Sequence, residues 1–419
     1  MLANLQDMAE ENQVDVTIIG AGMVGASAAI GLAQIGLKVI LVDAFGFASA
    51  VPDYTPSYDS RSTALSWGTR DILTDLGVWS EVEKQACPIT EVHVSEKDRF
   101  GTTRIKADDY KQSAVGYVVP NQWLGRCLLS RVDQLNIPLF AGVKVEEIIQ
   151  SSPQELVLTS ADASKETYKR KVKTRLLIIA DGADSNTAKK LGIESEIQQY
   201  SQHAIVVNVT TELSNNGTAY ERFTTKGPLA MLPLSDYLCA VVWTHDQVEV
   251  SNYLEMDDKD FCRAIEDSFG ERLGKIEKCG ERLSYPLTLI QAKEQCRPGV
   301  LLLGNAAHSL HPVAGQGFNL AIRGVAASVE NIVQCQEQGI AFESLENLGK
   351  LCASRVDDQI KTVALSDQLV KVFGSSSKLV SIARELGLIG LDNAPILKTL
   401  FASHAMGLAG RKSNIHSSI

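Results

Sequence analysis

The sequence predicts an α/β fold in which a domain of parallel strands is interleaved with a second sheet domain and followed by a helical C-terminal region. Three observations predict it. A strand, a helix and a strand follow one another over residues 14–43. Residues 176–180 and 300–303 are later buried strands ending in glycine turns, and residues 203–245 alternate as strands. Strands alternating with helices are typical of a sheet covered on both faces, so we expect a Rossmann-like domain.

The composition is that of an ordinary soluble globular protein. Of the 419 residues, 45% are hydrophobic and 21% are charged, which provides enough apolar material for two or three domains. The formal net charge of -10 argues against nucleic acid as the main partner, because phosphate-binding surfaces are rich in basic clusters.

The eight cysteines are scattered without a C-x-x-C pair, so neither a metal site nor a disulfide framework is predicted. Reduced thiols favour a cytoplasmic location. The first twelve residues are polar and acidic, unlike a signal peptide. Every long apolar stretch is interrupted by charge, so we expect no membrane-spanning helix.

Residues 14–43 read "VDVTIIGAGMVGASAAIGLAQIGLKVILVD" and contain a G-x-G-x-x-G motif between strand and helix. In such a unit Gly20 permits a tight turn, Gly22 lets the backbone approach a pyrophosphate, and Gly25 lets the helix pack on the strand. The helix N-terminus presents N–H groups to the phosphates. Asp43, which follows the second strand, lies where an acceptor for ribose hydroxyls is expected. The unit predicts a dinucleotide site.

The motif does not by itself distinguish FAD from NAD. FAD is favoured because the motif lies at the extreme N-terminus and no second G-x-G-x-x-G follows. A long irregular stretch, residues 44–66, could also fold over an extended cofactor. Arg61 in this stretch is a candidate phosphate contact, and a solvated loop arginine is the alternative.

Two later strand ends repeat the arrangement. "RLLIIADGADSN" turns at Asp181, and "LLLGNAAHSLHPVAGQGFNLAIRG" turns at Gly304 before a loop and a helix beginning near Asn319. Ligands in open α/β sheets bind beyond the carboxyl ends of strands. The strand ends at residues 20, 181 and 304 should therefore converge on one ligand. His308 and His311 in the last loop could transfer protons, but backbone-bonded loop histidines are the more ordinary interpretation.

The segments "GAGMVG…VD", "ADGADS" and "GNAAHSLHPVAGQGFNLAIRG" resemble the three signature segments of the flavoprotein aromatic hydroxylases, the family that includes 4-hydroxybenzoate hydroxylase. Residues 219–236, 261–276 and 301–324 more specifically resemble its ubiquinone-biosynthesis branch, the 2-octaprenyl-6-methoxyphenol hydroxylases. The similarity extends over nearly the whole chain. It implies that FAD is the cofactor and that NAD(P)H is the reductant.

The resemblance also implies residue roles in cofactor binding. The positions so implied are Gly20, Gly22, Gly25, Asp43, Arg61, Arg126, Val143, Asp181, Gly304, Asn305, Pro312, Gly315, Gln316, Gly317 and Asn319. Most of the family has Gly-Asp where this chain has Gly304-Asn305. Asn keeps a carbonyl acceptor but loses the charge, and the ubiquinone branch shares this Asn.

The chemistry implied is that O2 reacts at the reduced flavin and one oxygen atom passes to a phenol ring. Water must be excluded, so we expect an apolar wall, for which residues 227–234 have the right character. Phe223, Leu232 and Pro233 are substrate candidates. No residue is a certain catalytic base; His311 and Arg222 are weak candidates.

The expected domains interleave. Residues 1–80, 105–200 and 285–335 would bind FAD, residues 81–104 and 201–284 would form the substrate sheet, and residues 336–419 would be helical. The apolar segment 378–408 packs on the core or meets a membrane surface or a quinone-biosynthesis complex, as a prenylated phenol substrate would require.

The residues leave two alternative functions open. One is a hydroxylase of a small soluble aromatic acid, which would need basic side chains in its substrate pocket. The other is a non-catalytic flavin-binding subunit of a quinone-biosynthesis assembly.

Overall fold

The computed structural model describes residues 2–46, 61–99, 101–160, 168–224, 226–309 and 316–374, with side chains as far as residue 362. The segment 378–408 therefore lies outside the described residues.

Strands are numbered in chain order. They are β1 (Glu11–Ile19), β2 (Val39–Asp43), β3 (Ser62–Ser66), β4 (Cys87–Ile89), β5 (Glu91–Glu96), β6 (Thr102–Lys106), β7 (Gly116–Pro120), β8 (Leu139–Ala141), β9 (Val143–Ile149), β10 (Gln154–Ser160), β11 (Lys169–Ile179), β12 (Ser195–Thr211), β13 (Thr218–Thr224), β14 (Gly227–Pro233), β15 (Leu238–Asp246), β16 (Ile276–Cys279), β17 (Leu283–Ala292), β18 (Cys296–Arg297), β19 (Val300–Leu302) and β20 (His308–Ser309).

Helices are numbered in the same way. They are α1 (Met23–Gln34), α2 (Trp67–Asp75), α3 (Trp79–Val82), α4 (Asn121–Gln134), α5 (Asn186–Lys190), α6 (Gln247–Glu255), α7 (Asp258–Phe269), α8 (Gln316–Gln338) and α9 (Leu345–Gly374).

The first sheet has the order β18-β19-β11-β1-β2-β8, with β10 paired to β11 and β9 paired to β10. Strands β1, β2, β8, β11 and β19 run parallel in it. Ile19 pairs with Ile179 and with Val42, and Ile179 pairs with Leu302. The carboxyl ends of β2, β1, β11 and β19 consequently lie side by side, so the predicted convergence of strand ends at residues 20, 181 and 304 is confirmed.

Helices cover this sheet closely. Strand β1, α1, α4 and α8 share one apolar core, to which Ile18, Ile30, Leu128 and Val329 belong. Helix α1 is rich in alanine and glycine, which lets α8 approach. A Cβ on Gly31 would lie 2.8 Å from Cγ2 of Val329. Small side chains at this crossing therefore set the distance between the two helices.

The second sheet has the order β20-β17-β12-β15-β14-β13-β5-β6, with β16 beside β12. The strands predicted within residues 203–245 are confirmed as β12, β13 and β15, and residues 227–233 form β14 between them. One face packs against α7, with Phe261, Ile265 and Phe269 in the core. A smaller sheet, β3-β7-β4, lies between the helices. The predicted fold class is confirmed.

The helical region after residue 325 is formed by α8 and α9. Arg323 on α8 makes a bidentate ion pair with Asp358 on α9, with N–O distances of 2.9 and 3.0 Å. Among the described residues, no helix is long and apolar enough to cross a membrane.

Three buried histidines give the fold a pH dependence. His93, His245 and His308 are each at most 3% exposed. The pKa of each is lowered to about 4, mainly by burial, and for His93 and His308 neighbouring arginines contribute to this lowering. His245 contacts the rings of Trp243 and Tyr253 at centroid distances of 4.2 and 4.1 Å.

The free energy of unfolding should therefore decrease as the pH falls. Below about pH 6.5 these histidines are protonated in the unfolded chain but remain neutral in the folded chain. The free energy of unfolding therefore falls by up to about 1.4 kcal/mol per pH unit for each histidine. The contribution is fully present above that pH and is lost as the pH falls toward about 4. Urea unfolding of His245→Phe, which keeps the aromatic contacts, should show a shallower pH dependence than wild type. Equal pH dependences would contradict a role for the buried imidazole.

Candidate active site

A cavity of about 1510 Å³ lies between the two large sheets. It is lined by the glycine loop after β1, the ends of β2 and β11, strand β3, the start of α8 and one face of the second sheet. Ligand pockets usually measure about 300–1,000 Å³. The cavity is thus large enough for an extended cofactor together with a second molecule.

The glycine loop is held very close to its neighbours. Gly20 has φ +103°, and a Cβ there would lie 2.4 Å from the carbonyl oxygen of Ala180. A Cβ on Gly25 would lie 1.8 Å from the carbonyl oxygen of Gly20. Gly22 is the N-cap of α1 and supplies no side-chain hydrogen bond to the first turn. Gly22, Met23 and Val24 line the cavity, so the start of the helix borders it, an arrangement suited to phosphate.

Asp43 connects the end of β2 to this loop. Its Oδ2 accepts a hydrogen bond from the Ala21 N–H at 2.6 Å, and its Oδ1 accepts one from the Phe45 N–H at 2.8 Å. Burial raises the pKa of Asp43, the two backbone bonds oppose this, and the charge of Asp181 adds to it. The carboxylate therefore orients the loop and presents an acceptor to the cavity.

Asp181 follows β11 and lines the same cavity. Its Oδ2 accepts hydrogen bonds from the N–H and the hydroxyl of Thr187, at 3.2 and 2.7 Å. Its Oδ1 is buried and has no hydrogen-bond partner among the described residues. Buried acceptors are nearly always paired, so this oxygen fits a ligand hydroxyl.

Other predicted cofactor residues also meet at the cavity. Arg61 lines it, with its guanidinium 4.5 Å from the ring centroid of Tyr285. Val143, Asn305, Gln316 and Gly317 line it as well. Asn305 is exposed there. Pro312, Gly315 and His311 lie outside the described residues.

Asn319 lines the cavity, but its amide is used within the protein. Its Oδ1 accepts from the Ser66 N–H at 2.9 Å and the Thr69 hydroxyl at 2.7 Å, and its Nδ2 donates to the Ala64 carbonyl at 2.9 Å. It thereby fixes the start of α8 against β3 and α2.

Four predicted site residues lie elsewhere. Arg126 is exposed on α4 and does not line the cavity. Gly25 and Gly304 act through backbone packing, and Gly304 has φ +61°. Pro233 at the end of β14 does not line the cavity, whereas its neighbour Leu232 does.

The weak catalytic candidate Arg222 also does not reach the cavity. Its Nε donates to the Ser268 carbonyl at 3.1 Å and its Nη1 to the Ser95 hydroxyl at 3.3 Å. Successive strand residues face opposite sides of a sheet, so Phe223 lines the cavity and Arg222 contacts α7. Glu221 also lines the cavity, but it was not among the residues predicted from the sequence. The same alternation places it on the face of β13 that carries Phe223.

Lys144, Lys189 and Lys190 also line the cavity and were missed. Lys190 Nζ donates to the carbonyls of Val145 and Glu146 at 2.6 and 2.7 Å. The sequence feature that could have indicated them is the pair of lysines at the end of α5, the helix that follows Asp181. Lys189 is ion-paired with Asp184, so Lys144 and Lys190 supply the positive charge that favours an anionic ligand at the end of the cavity near Val143.

The histidine that first suggests metal or proton chemistry is suited to neither. His308 is buried, is not among the cavity-lining residues, and its ring nitrogens have no hydrogen-bond partner among the described residues. Within the same part of the chain, no group of three or more His, Cys, Asp or Glu side chains is placed to hold a metal ion. The eight cysteines are free thiols.

The glycine loop, the acid at the end of β2 and the uncapped start of α1 define a nucleotide-binding α/β protein. The orphaned Asp181 oxygen and the lysine cluster fit a cofactor with both hydroxyl and phosphate groups. Residues 13–341 match the family described as FAD binding domain. The chain belongs to this family.

Proteins similar in sequence indicate which kind of FAD-dependent enzyme this chain resembles. Ubiquinone hydroxylase UbiL of Rhodospirillum rubrum is 31% identical over 396 residues, covering 94% of this chain and 89% of UbiL. The 3-demethoxyubiquinol 3-hydroxylase of Escherichia coli is 29% identical over 400 residues, covering 94% and 98% of the two chains. These relatives confirm the resemblance to the ubiquinone branch, and the chain is an FAD-dependent monooxygenase.

A solved structure shows the same fold. The p-nitrophenol 4-monooxygenase PnpA of Pseudomonas putida has a TM-score of 0.73 and 16% identity, covering 96% of this chain and 99% of that chain.

Substitution of Gly25 tests the glycine loop. In Gly25→Ala the new methyl group would meet the Gly20 carbonyl oxygen, so the loop must shift. We expect a loss of stability of about 1–3 kcal/mol and loss of most flavin, measured by absorbance of the purified protein and by thermal unfolding. The control is Gly349→Ala, a helical glycine whose added Cβ would meet nothing within 4 Å. Normal flavin content in Gly25→Ala would refute the packing argument.

Proposed function

We propose that this enzyme hydroxylates the aromatic ring of a polyprenylated methoxyphenol in ubiquinone biosynthesis, using FAD, NAD(P)H and O2. The names of the relatives UbiL and 3-demethoxyubiquinol 3-hydroxylase support the pathway. When bound, FAD transfers two electrons from NAD(P)H to O2, so that one oxygen atom enters the ring and the other leaves as water.

The observation that carries the substrate class is the apolar wall of the second sheet. Its cavity-lining residues include Val94, Val206, Phe223, Ala230 and Leu232. Among the described residues of this sheet, no Lys, Arg or His lines the cavity. A small aromatic acid would leave its carboxylate unpaired against this wall, whereas a prenylated ring is compatible with it. The wall also excludes water from the reacting atoms.

The cofactor roles follow from where the polar groups lie. The start of α1 at Gly22 would hold the pyrophosphate, Asp43 a ribose hydroxyl, and Asp181 and Asn305 further hydroxyls. Gln316 and Gly317 at the start of α8 would face the flavin ring. The sequence-based domain division assigns these contacts to residues 1–80, 105–200 and 285–335 and the substrate wall to residues 81–104 and 201–284.

A substrate with a prenyl tail resides in a lipid bilayer. We therefore include in the proposal that the enzyme works at a membrane surface or within a quinone-biosynthesis complex, with the apolar sequence 378–408 as the contact.

The assay that tests the function uses the purified, FAD-loaded protein with each nicotinamide cofactor and O2. We expect prenylated methoxyphenols, supplied in detergent micelles, to stimulate NAD(P)H oxidation and to gain one oxygen atom by mass spectrometry. Small aromatic acids such as 4-hydroxybenzoate serve as the comparison and should be poor substrates. Turnover of the acid alone would favour a soluble-acid hydroxylase, and no turnover of either would favour a non-catalytic flavin subunit.

A gene deletion provides an independent readout. The deletion strain should accumulate a prenylated methoxyphenol, identified by mass spectrometry of its lipid extract. An unchanged quinone profile would contradict the proposal.

A further inference from the structure

Glu221 lies within the apolar wall. On β13 it pairs with Val94 of β5 on one side and with Ala230 of β14 on the other. The row continues from Ala230 to Val242 of β15 and from Val242 to Val206 of β12. All five residues line the cavity. A carboxylate thus interrupts a row of small aliphatic side chains.

Among the described residues of the second sheet that line the cavity, Glu221 is the single one that carries a formal charge. Its carboxylate makes no hydrogen bond or ion pair within the described part of the chain. Glu221 is half-buried and faces the cavity, so a ligand that fills the cavity would desolvate it, and leaving a desolvated carboxylate unpaired costs several kcal/mol. A structural role normally comes with a partner, so a partner in the ligand is the simpler explanation.

Burial alone raises the pKa of Glu221 to about 7. One titratable group of the cavity, Tyr220, lies beside Glu221 on β13. The other charged and titratable groups lie on other elements and are Tyr285 on β17, Arg61 before β3, Asp43 at the end of β2, Asp181 after β11, and the lysines at 144, 189 and 190. None of them contributes to the shift. Glu221 is therefore poised to exchange a proton near neutral pH, as a general base requires.

We propose that Glu221 is the catalytic base that accepts the phenol proton of the ring substrate. This inference rests on the proposed hydroxylation. The phenol O–H bond breaks, the proton passes to a carboxylate oxygen of Glu221, and the electron pair stays on the phenol oxygen. That pair is delocalised to the ring carbons ortho and para to it, which makes them nucleophilic toward oxygen. When the hydroxylated ring regains aromaticity, Glu221 returns its proton to the same oxygen, and the hydrogen of the hydroxylated carbon leaves as a proton that is taken up by the oxygen atom released as water.

The test compares Glu221→Gln with Glu277→Gln in the FAD-loaded enzyme. Glu277 is exposed on β16 of the same sheet and does not line the cavity. Both variants should keep the wild-type flavin content, and Glu221→Gln should be at least as stable as wild type, because it removes an unpaired carboxylate whose pKa is raised in the folded protein. We expect kcat for hydroxylation of a prenylated methoxyphenol to fall about 100-fold or more in Glu221→Gln, the usual range for loss of a general base. Glu277→Gln should be unchanged.

Two further measurements separate a base from a residue that only shapes the pocket. The wild-type kcat should rise with pH through about 7, and this rise should be absent in Glu221→Gln. A ring-fluorinated substrate at a pH where its phenol already ionises in water should bring the wild-type and variant rates together.

A binding measurement adds a readout that does not depend on turnover. The absorbance difference spectrum of the phenol bound to the oxidised enzyme should show phenolate in wild type and neutral phenol in Glu221→Gln. A variant that keeps the wild-type kcat and pH profile, or one whose KM alone rises, would overturn the assignment of the base and leave the hydroxylase function intact. If neither wild type nor Glu277→Gln hydroxylates any prenylated phenol, both the function and the assignment fail.

Discussion

The site depends on how closely two backbone segments approach each other around Gly20. No side chain fits between this residue and the Ala180 carbonyl, and none fits between Gly25 and the Gly20 carbonyl. These contacts bring the end of β1 against the end of β11 and aim the start of α1 into the gap. The ends of β2 and β19 are then fixed by their parallel pairing. A shift of one residue in this loop would move every polar group of the nucleotide end of the cavity.

The buried carboxylates show how the same chemical group serves different purposes. Burial and the charge of Asp181 disfavour the ionised form of Asp43, whereas hydrogen bonds from two backbone N–H groups stabilise it. Its carboxylate therefore orients the glycine loop and can accept a hydrogen bond from a ligand. Glu221 experiences burial without any supporting donor. Its ionised form is stabilised by nothing in the described protein, which suits a group that must take up and release a proton rather than carry a fixed charge.

The second sheet separates two chemical environments by alternation. One face packs Phe261 and Phe269 of α7 and holds Arg222 against the Ser268 carbonyl. The other face lines the cavity with aliphatic and aromatic side chains. A wall of this kind excludes water from a reactive centre and accommodates a hydrophobic aromatic substrate. Glu221, the single charged residue among the described residues of this wall, therefore has a strong electrostatic effect on a ligand bound there.

Local patterns in the sequence determined the parallel sheet, the glycine loop with Asp43, and the strand ends at Asp181 and Asn305, because their signals lie within a few residues of each other and follow backbone geometry. The family resemblance added FAD and the hydroxylase class. The alternation within β13 could also have separated Arg222 from the cavity and recruited Glu221, because it needs only the sequence of that strand. Only the tertiary structure decided which groups meet across the chain. It joined Asn319 to Ser66 and Thr69 and placed Arg61 over Tyr285. It also placed Glu221 among aliphatic neighbours, with no partner in the part of the chain that the structure describes. Such encounters depend on the register and packing of segments more than a hundred residues apart, which no local pattern encodes.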